Sequence, residues 1–424
     1  MPSELASVAD SQPSSGRRSG MFRALSNQNY RIFWTGAFLS NVGTWMQAVA
    51  QGWLVLKLTN SPLWLGLDAF MATAPGFIFT LAGGVFADLI DRRRLLLYTQ
   101  VTAGIAALGL ATLVATDVVT RWMVLGFSFV TGCCMALASP SYLAMTYDLV
   151  GREDLANAIA MNSIQFQLSR VIGPTLAGLA FRVFGLAGCF YANGLSFIAV
   201  VVALIMVRTP NPANTPAHSV KDRRALWDDL VAGFRYVRNR PRVSSLLLLS
   251  AVISLFGAPY FSMVPIYARD IFKLGETGYA MMMGTAGCGA LFGALLVAYL
   301  GDFRRKGWFV LGGAILFGLC ITNFALASRL AVSLIFLFGL GFSLVVSVAL
   351  INTLLQKLVT DEMRGRVMSM FILSFIGTLP IGSLAAGAAS SRFGPQRTLA
   401  VGGLVVTTVA TIVTIVNKRL RELH

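Results

Sequence analysis

The sequence predicts an all-α integral membrane protein with twelve transmembrane helices in two parallel, related six-helix bundles. Three observations carry this expectation. Apolar stretches of roughly 20 residues, each long enough to span a bilayer, recur along the chain. The basic residues between them alternate sides. Part of the first half reappears 209 residues later.

Of 424 residues, 56% are hydrophobic and only 12% charged, about half the charge of an ordinary soluble domain. The apolar segments are continuous, whereas barrel strands are short and alternate in polarity, which argues against a barrel. Spans are expected at 31–56, 64–87, 95–116, 122–147, 156–181, 187–207, 244–267, 277–300, 308–327, 331–355, 367–390 and 396–417. Residues 1–29 are polar and lack the apolar core of a secretory signal, so the first span is expected to direct insertion. The organisation read from this is a tail (1–29), a first bundle (30–207), a linker (208–243), a second bundle (244–417) and a C-terminal tail (418–424).

Segments outside the spans alternate between two faces. One face takes the N-terminal tail with the entry into span 1, the intervals after spans 2, 4, 6, 8 and 10, and the C-terminal tail, with 25 Lys and Arg; the other takes 8; Arg170 falls inside span 5. Lys and Arg accumulate on the cytoplasmic side. Both termini are therefore expected in the cytoplasm, with the chain in a bacterial inner membrane. The same bias accounts for the net charge of +16 without a nucleic-acid partner.

Span 1 carries Ser40, Thr44, Gln47 and Gln51 at helical spacing, with Asn41 alongside. A polar stripe in a span faces protein or water rather than lipid; it lines a solute pathway or bonds neighbouring helices. Asp68 is the one acid clearly inside a span, about one turn into span 2. Proton coupling needs a titratable group, which makes Asp68 the candidate; the alternative is a solvated acid at the interface. Span 2 ends in GGVFADLIDRRR, residues 83–94. Asp88 sits where the helix dipole disfavours an anion, so it needs a partner. Arg92, Arg93 and Arg94 suit both the dipole and the basic face. Asp148, Glu153 and Asp154, at the junction of spans 4 and 5, read as structural.

Span 5 holds SRVIGPTLAG, residues 169–178. Arg170 lies near mid-membrane, where a charge needs a cavity or a partner; a functional and a structural role stand equally. Gly173, Pro174 and Gly178 permit a bend and close helix approach. Gly284, Gly289 and Gly293 of span 8 are the expected mating surface. The linker opens with Pro210, Pro212 and Pro216, then presents Trp227, Leu230, Val231, Phe234 and Val237 on one helical face, an amphipathic helix expected on the membrane surface. Span 7 offers Ser254, Gly257 and Phe261 on a face comparable to the span-1 stripe, with Tyr260 beside them.

The duplication pairs Leu149, Glu153, Met161, Gly173, Gly178 and Gly185 with Leu358, Glu362, Met370, Gly382, Gly387 and Gly394, without a gap. It relates span 5 to span 11. An even number of spans per repeat gives both halves one orientation.

With Gly84, Asp88, Arg93 and Arg94 in place, the chain resembles the major facilitator superfamily, although Leu89 stands where a basic residue is usual and Asp91 where Gly is usual. The DRRR ending, the run NVGTWMQAVAQGWLVLKLTNSPLWLGL and SRVIGPTLAG resemble its enterobactin-exporter and drug-efflux branch. The resemblance extends along nearly the whole chain. It implies that Gly84, Asp88, Asp91, Arg92, Arg93 and Arg94 form a conformational latch, in which Asp88 meets the start of span 11 near Arg364, Gly365 and Arg366. It also implies that Arg170, Gly173, Pro174 and Gly178 belong to a motif of exporters and antiporters, with Ser169 and Ala177 replacing glycines.

The expected function is a secondary transporter that exports a small organic solute (drug, siderophore or metabolite) by alternating access in exchange for protons. The solute-pathway candidates are Ser40, Asn41, Thr44, Gln47, Gln51, Ser254 and Phe261. Uptake or facilitated diffusion by the same fold is the alternative. A membrane sensor or assembly protein that transports nothing is the reading from another class. No enzyme, metal or cofactor is expected: the spans hold no His and no clustered carboxylates, and Cys133, Cys134, Cys189, Cys288 and Cys320 fall in spans without metal-ligand spacing. No GxxxxGK[ST] loop is present, so no nucleotide partner is expected. The partners are the solute, protons and the bilayer, and the chain is expected to act as a monomer.

Overall fold

The computed structural model describes residues 22–82, 91–207, 232–301 and 303–421. Gly84, Asp88 and the first part of the linker lie outside them. Among the described residues every regular element is a helix.

α1 is Gln28–Thr59, α2 Pro62–Ala82 and α3 Arg92–Ala115. Two of their starts are set by side chains that satisfy otherwise free backbone N–H groups. Asn27 accepts from the Tyr30 amide at 3.1 Å and Asp91 from the Arg94 amide at 2.9 Å. Asp91 is thus the cap of α3.

The next helical run, Arg121–Met206, is 86 residues long and changes direction at Gly151 and Gly185. These divide it into α4 (121–150), α5 (152–184) and α6 (186–206). Separate loops were expected around 148–155 and 182–186, but the chain turns at single residues instead. Gly151 (φ 71°, ψ −179°) and Gly185 (φ 64°, ψ −166°) occupy backbone space that is essentially closed to residues with a Cβ.

α7 is Pro241–Ile271, α8 Glu276–Leu300, α9 Lys306–Leu326, α10 Leu330–Leu358, α11 Asp361–Phe393 and α12 Pro395–Val416. α7 widens into π-turns at Ile253–Gly257 and Tyr267–Ile271, where Ala258 and Phe272 bond five residues back. Pro259 and Pro265 nearby have no N–H to give. α11 is interrupted between Phe375 and Leu379, just before Pro380. Counting Arg121–Met206 once, nine helices among the described residues are long and apolar enough to cross a membrane. The 32-residue α1 is not among them, because its polar stripe lowers its hydropathy.

Gly394 closes α11 with φ 84° and ψ 152°, the same corner that Gly185 makes 209 residues earlier. The repeat in the sequence therefore returns as a repeat in backbone geometry. Nothing lies within 4 Å of a Cβ built on either glycine, so Gly185→Ala and Gly394→Ala introduce strain without a clash. Each should lower stability by about 1–3 kcal/mol, read as an earlier thermal transition of the purified protein.

α1, α2 and α3 all pack on the Arg121–Met206 run, and α8, α9, α10 and α12 pack on one another. Two seams join these groups, α5 with α8 and α2 with α11. A Cβ on Gly173 would stand 2.5 Å from the Trp45 Cβ, so this glycine serves α5 against α1; Gly178 faces Ala280 of α8. Of the expected mating surface on α8, Gly284 does face α5, where a Cβ would meet Thr175 Oγ1 at 3.7 Å, but Gly289 and Gly293 do not. Gly287 lies under the Arg170 carbonyl, whereas Gly289 and Gly293 lie under the carbonyls of Phe338 and Phe342 on α10.

Candidate functional site

A cavity of about 540 Å³ opens between the two groups of helices. α1 contributes Thr44, Trp45, Gln47 and Gln51; α2 contributes Asp68; α5 contributes Phe166 and Arg170; α7 contributes Tyr260 and Phe261. The polar stripe of α1 therefore faces a cavity, as does Asp68. Ser40 and Asn41 line a second, adjoining cavity, and Thr44 lines both. Ser254 does neither. It is fully buried and donates to the Phe375 carbonyl at 2.5 Å, so it ties α7 to α11.

Asp68 is held from two sides. Gln51 Nε2 donates to its two carboxylate oxygens at 3.0 and 3.2 Å, and Ser128 Oγ donates at 2.5 Å. Gln51 Oε1 accepts from Gln47 Nε2 at 3.4 Å, and Gln47 Oε1 accepts from Asn193 Nδ2 at 2.6 Å. The donors run in one direction, from α6 through α1 to the carboxylate on α2. Such a chain carries a change at Asp68 across three helices, because each amide has one carbonyl and one NH2 to reorient. The sequence reading missed Ser128 and Asn193. Asn193 carried a signal, a lone amide in an apolar span; Ser128 carried none.

Arg170 faces the same cavity. Its guanidinium lies 5.5 Å from the Trp45 ring centroid, a cation–π contact, and Nη2 donates to Tyr260 Oη at 3.4 Å. It forms no ion pair among the described residues. The cavity thus pairs one acid with one base, both aimed inward, within a wall of aromatics and amides.

The cavity is closed on the face opposite the basic one. There Arg269 donates to Asn60 Oδ1 and, at 3.4 Å, to the Leu56 carbonyl, while Asp270 holds it at 2.7 Å. The Leu63 amide donates to Ser391 Oγ at 3.1 Å. On the basic face, Arg92 pairs with Asp148 at 3.2 Å, and Arg93 donates to the carbonyls of Leu204 and Ile205 at 2.8 and 2.9 Å. These two arginines fasten α3 to α4 and α6. Arg94 is exposed. Arg364 pairs with Asp361, and Gly365 has open space before it. Arg23 pairs with Asp154 at 2.8 Å and with Glu153 at 3.7 Å, which anchors the segment before α1 at the Gly151 corner.

A family model described as "Transmembrane secretion effector" matches residues 19–424. Among curated proteins, the Enterobactin exporter EntS of Escherichia coli is 25% identical over 402 residues, covering 93% of this chain and 92% of that protein; the Shigella boydii serotype 18 protein of the same name matches to the same extent. Among solved structures, the nucleoside transporter NupG superposes with a TM-score of 0.73 at 11% identity, covering 91% of this chain and 98% of that one. A bacterial homologue of the lysosomal transporter Spinster gives 0.70 at 14%, covering 93% and 97%. The helices, the two seams and the cavity between them thus have a common explanation: the chain belongs to the transmembrane secretion effector family, within the major facilitator superfamily of transporters.

Proposed function

We propose that this transporter exports a small organic solute by alternating access in exchange for protons, with Asp68 as the proton-carrying group. The observation that carries the reading is the cavity between the two groups of helices, which places Asp68 and Arg170 in one space and is closed on one face. Export is further supported by the name of the 25%-identical relative, an enterobactin exporter, and by the Gly173–Gly178 run of α5, whose Gly173 packs on α1 and Gly178 on α8. A drug, a siderophore or a metabolite fits the mixed aromatic and amide lining.

In this reading the chain has twelve spans in two six-helix halves, 30–207 and 244–417, joined by the linker 208–243. It works as a monomer in a bacterial inner membrane, with both termini in the cytoplasm. The closed face is then external, and the cavity faces inward. Asp88 completes the latch by meeting the α11 start near Arg364, Gly365 and Arg366, where exposed helix N–H groups favour an anion. Asp88→Asn should shift the labelling of single cysteines introduced on the two faces; unchanged labelling would leave Asp88 an anchor.

Everted membrane vesicles test the main proposal. Solutes that accumulate outside producing cells, but not outside cells lacking the gene, are supplied to the vesicles. Export by proton exchange predicts uptake into the everted vesicles driven by an acidic interior, and collapse of that uptake on adding a protonophore. Accumulation in right-side-out vesicles instead would mark the chain as an importer.

A further inference from the structure

The second cavity has a volume of about 470 Å³ and lies within the N-terminal group of helices, toward the basic face. α1, α3, α4, α5 and α6 wall it, and no described residue beyond Leu204 reaches it. Its size falls in the range of small-molecule sites. The lining is of two kinds. Phe33, Tyr142, Phe166 and Phe197 present rings, and amides reach in between them. Among the described residues no Asp, Glu, Lys, Arg or His lines it, in contrast to the central cavity with Asp68 and Arg170.

Two of the amides are spoken for. Asn162 Nδ2 donates to Thr146 Oγ1 at 3.2 Å and its Oδ1 accepts from Tyr30 Oη at 2.9 Å; Gln165 Oε1 accepts from Tyr142 Oη at 3.2 Å. Three others are not. The side chains of Asn41 on α1, Gln100 on α3 and Gln167 on α5 have no hydrogen-bond partner among the described residues. The Gln167 Oε1 is sealed from solvent as well. All three residues are partly exposed, and they come from three helices to line one cavity; Asn41 and Gln100 offer it whole amides, and Gln167 offers its Nε2, since its Oε1 is sealed off.

We infer that this cavity is a loading site for an uncharged aromatic solute with several hydrogen-bonding groups, which occupies it before reaching Asp68 and Arg170. An ion would find no countercharge here, whereas a neutral ring finds edges and faces to stack on. Thr44, Met135, Phe166 and Phe197 line both cavities, so the two are continuous and solute passes between them along α1. The inference rests on the transport reading and narrows its substrate class.

The test is equilibrium binding to the full chain in lipid nanodiscs, with three matched probes: N-acetyltyrosinamide (neutral), tyramine (a cation) and N-acetyltyrosine (an anion). The neutral probe should bind at least about tenfold tighter than either ion. Gln100→Leu and Gln167→Leu should each weaken it by about tenfold, the usual scale for a lost hydrogen bond to a ligand. Asp68→Asn should leave it unchanged. Ser163→Trp fills the cavity from an exposed position without removing an amide and should abolish binding, with thermal unfolding of each variant establishing that it is folded. Equal affinity for the three probes overturns the loading site, as does binding that is lost in Asp68→Asn and kept in the Gln variants. Binding with the expected selectivity but no efflux would count against export and leave the site standing. Efflux of neutral aromatic solutes that ignores all three cavity variants would do the reverse.

Discussion

Asp68→Asn should abolish proton-driven transport while sparing the fold and the passive exchange of solute. The carboxylate receives Gln51 Nε2 and Ser128 Oγ, both donors to an anionic acceptor. An asparagine keeps one carbonyl oxygen, so it satisfies one of the two donors in nearly the same volume. The structural penalty is that of one unmet buried hydrogen bond, about 1–3 kcal/mol, too small to unfold a chain of this size. The functional change is categorical, because the only acid among the described residues that line the cavity can then no longer take or release a proton. In proteoliposomes with an imposed pH gradient, uphill solute movement should fall to background, and counterflow without a gradient should stay within about threefold of wild type, a change of under 1 kcal/mol. Uphill transport that survives would remove Asp68 from the coupling. Gln51→Leu provides the companion measurement. It leaves the acid but breaks the amide chain to Asn193, so it should retain coupling and shift its pH profile.

The sequence made parts of this arrangement legible for identifiable reasons. Hydropathy and the one-sided basic residues are properties of whole segments, which is why the helices lie where expected even though α1 is comparatively polar. The stripe from Ser40 to Gln51 was legible because helical spacing alone puts those residues on one face. The corners at Gly151 and Gly185 were not, since among 41 glycines nothing local separates a turn from a packing contact. Ser128 was not, because a single hydroxyl in an apolar span ordinarily bonds its own helix, and here it does so while also reaching Asp68. Asp91, Arg92 and Arg93 were grouped with the latch by position, yet their contacts cap α3 and tie it to α4 and α6. A motif locates such residues along the chain without fixing which neighbour each one meets.

The glycines of α8 illustrate the same limit and give the second large expected effect. Their spacing announces close approach, but only the fold assigns the partner. A Cβ on Gly289 would overlap the Phe338 carbonyl of α10, and a Cβ on Gly341 of α10 would overlap the Ala286 carbonyl of α8. The two helices therefore touch backbone to backbone, each notched for the other. Two carbonyls on rigid helices cannot step aside as a flexible side chain would. Gly289→Val should separate α8 from α10 at a loss of roughly 3–5 kcal/mol, the scale of severe overpacking. Folded protein recovered by size-exclusion chromatography should fall steeply. Gly287, two residues away, points instead at the Arg170 carbonyl of α5, across a seam that alternating access must open. Overpacking there is relieved by opening the seam, so Gly287→Val should be recovered folded and should shift cysteine labelling toward the face that Asn60 and Arg269 now close. If both variants misfold equally, the α5–α8 contact is as permanent as the α8–α10 one, and the groups do not part along it. If Gly289→Val is recovered intact, α8 and α10 are not locked as a unit, and the moving body must be smaller than the C-terminal group.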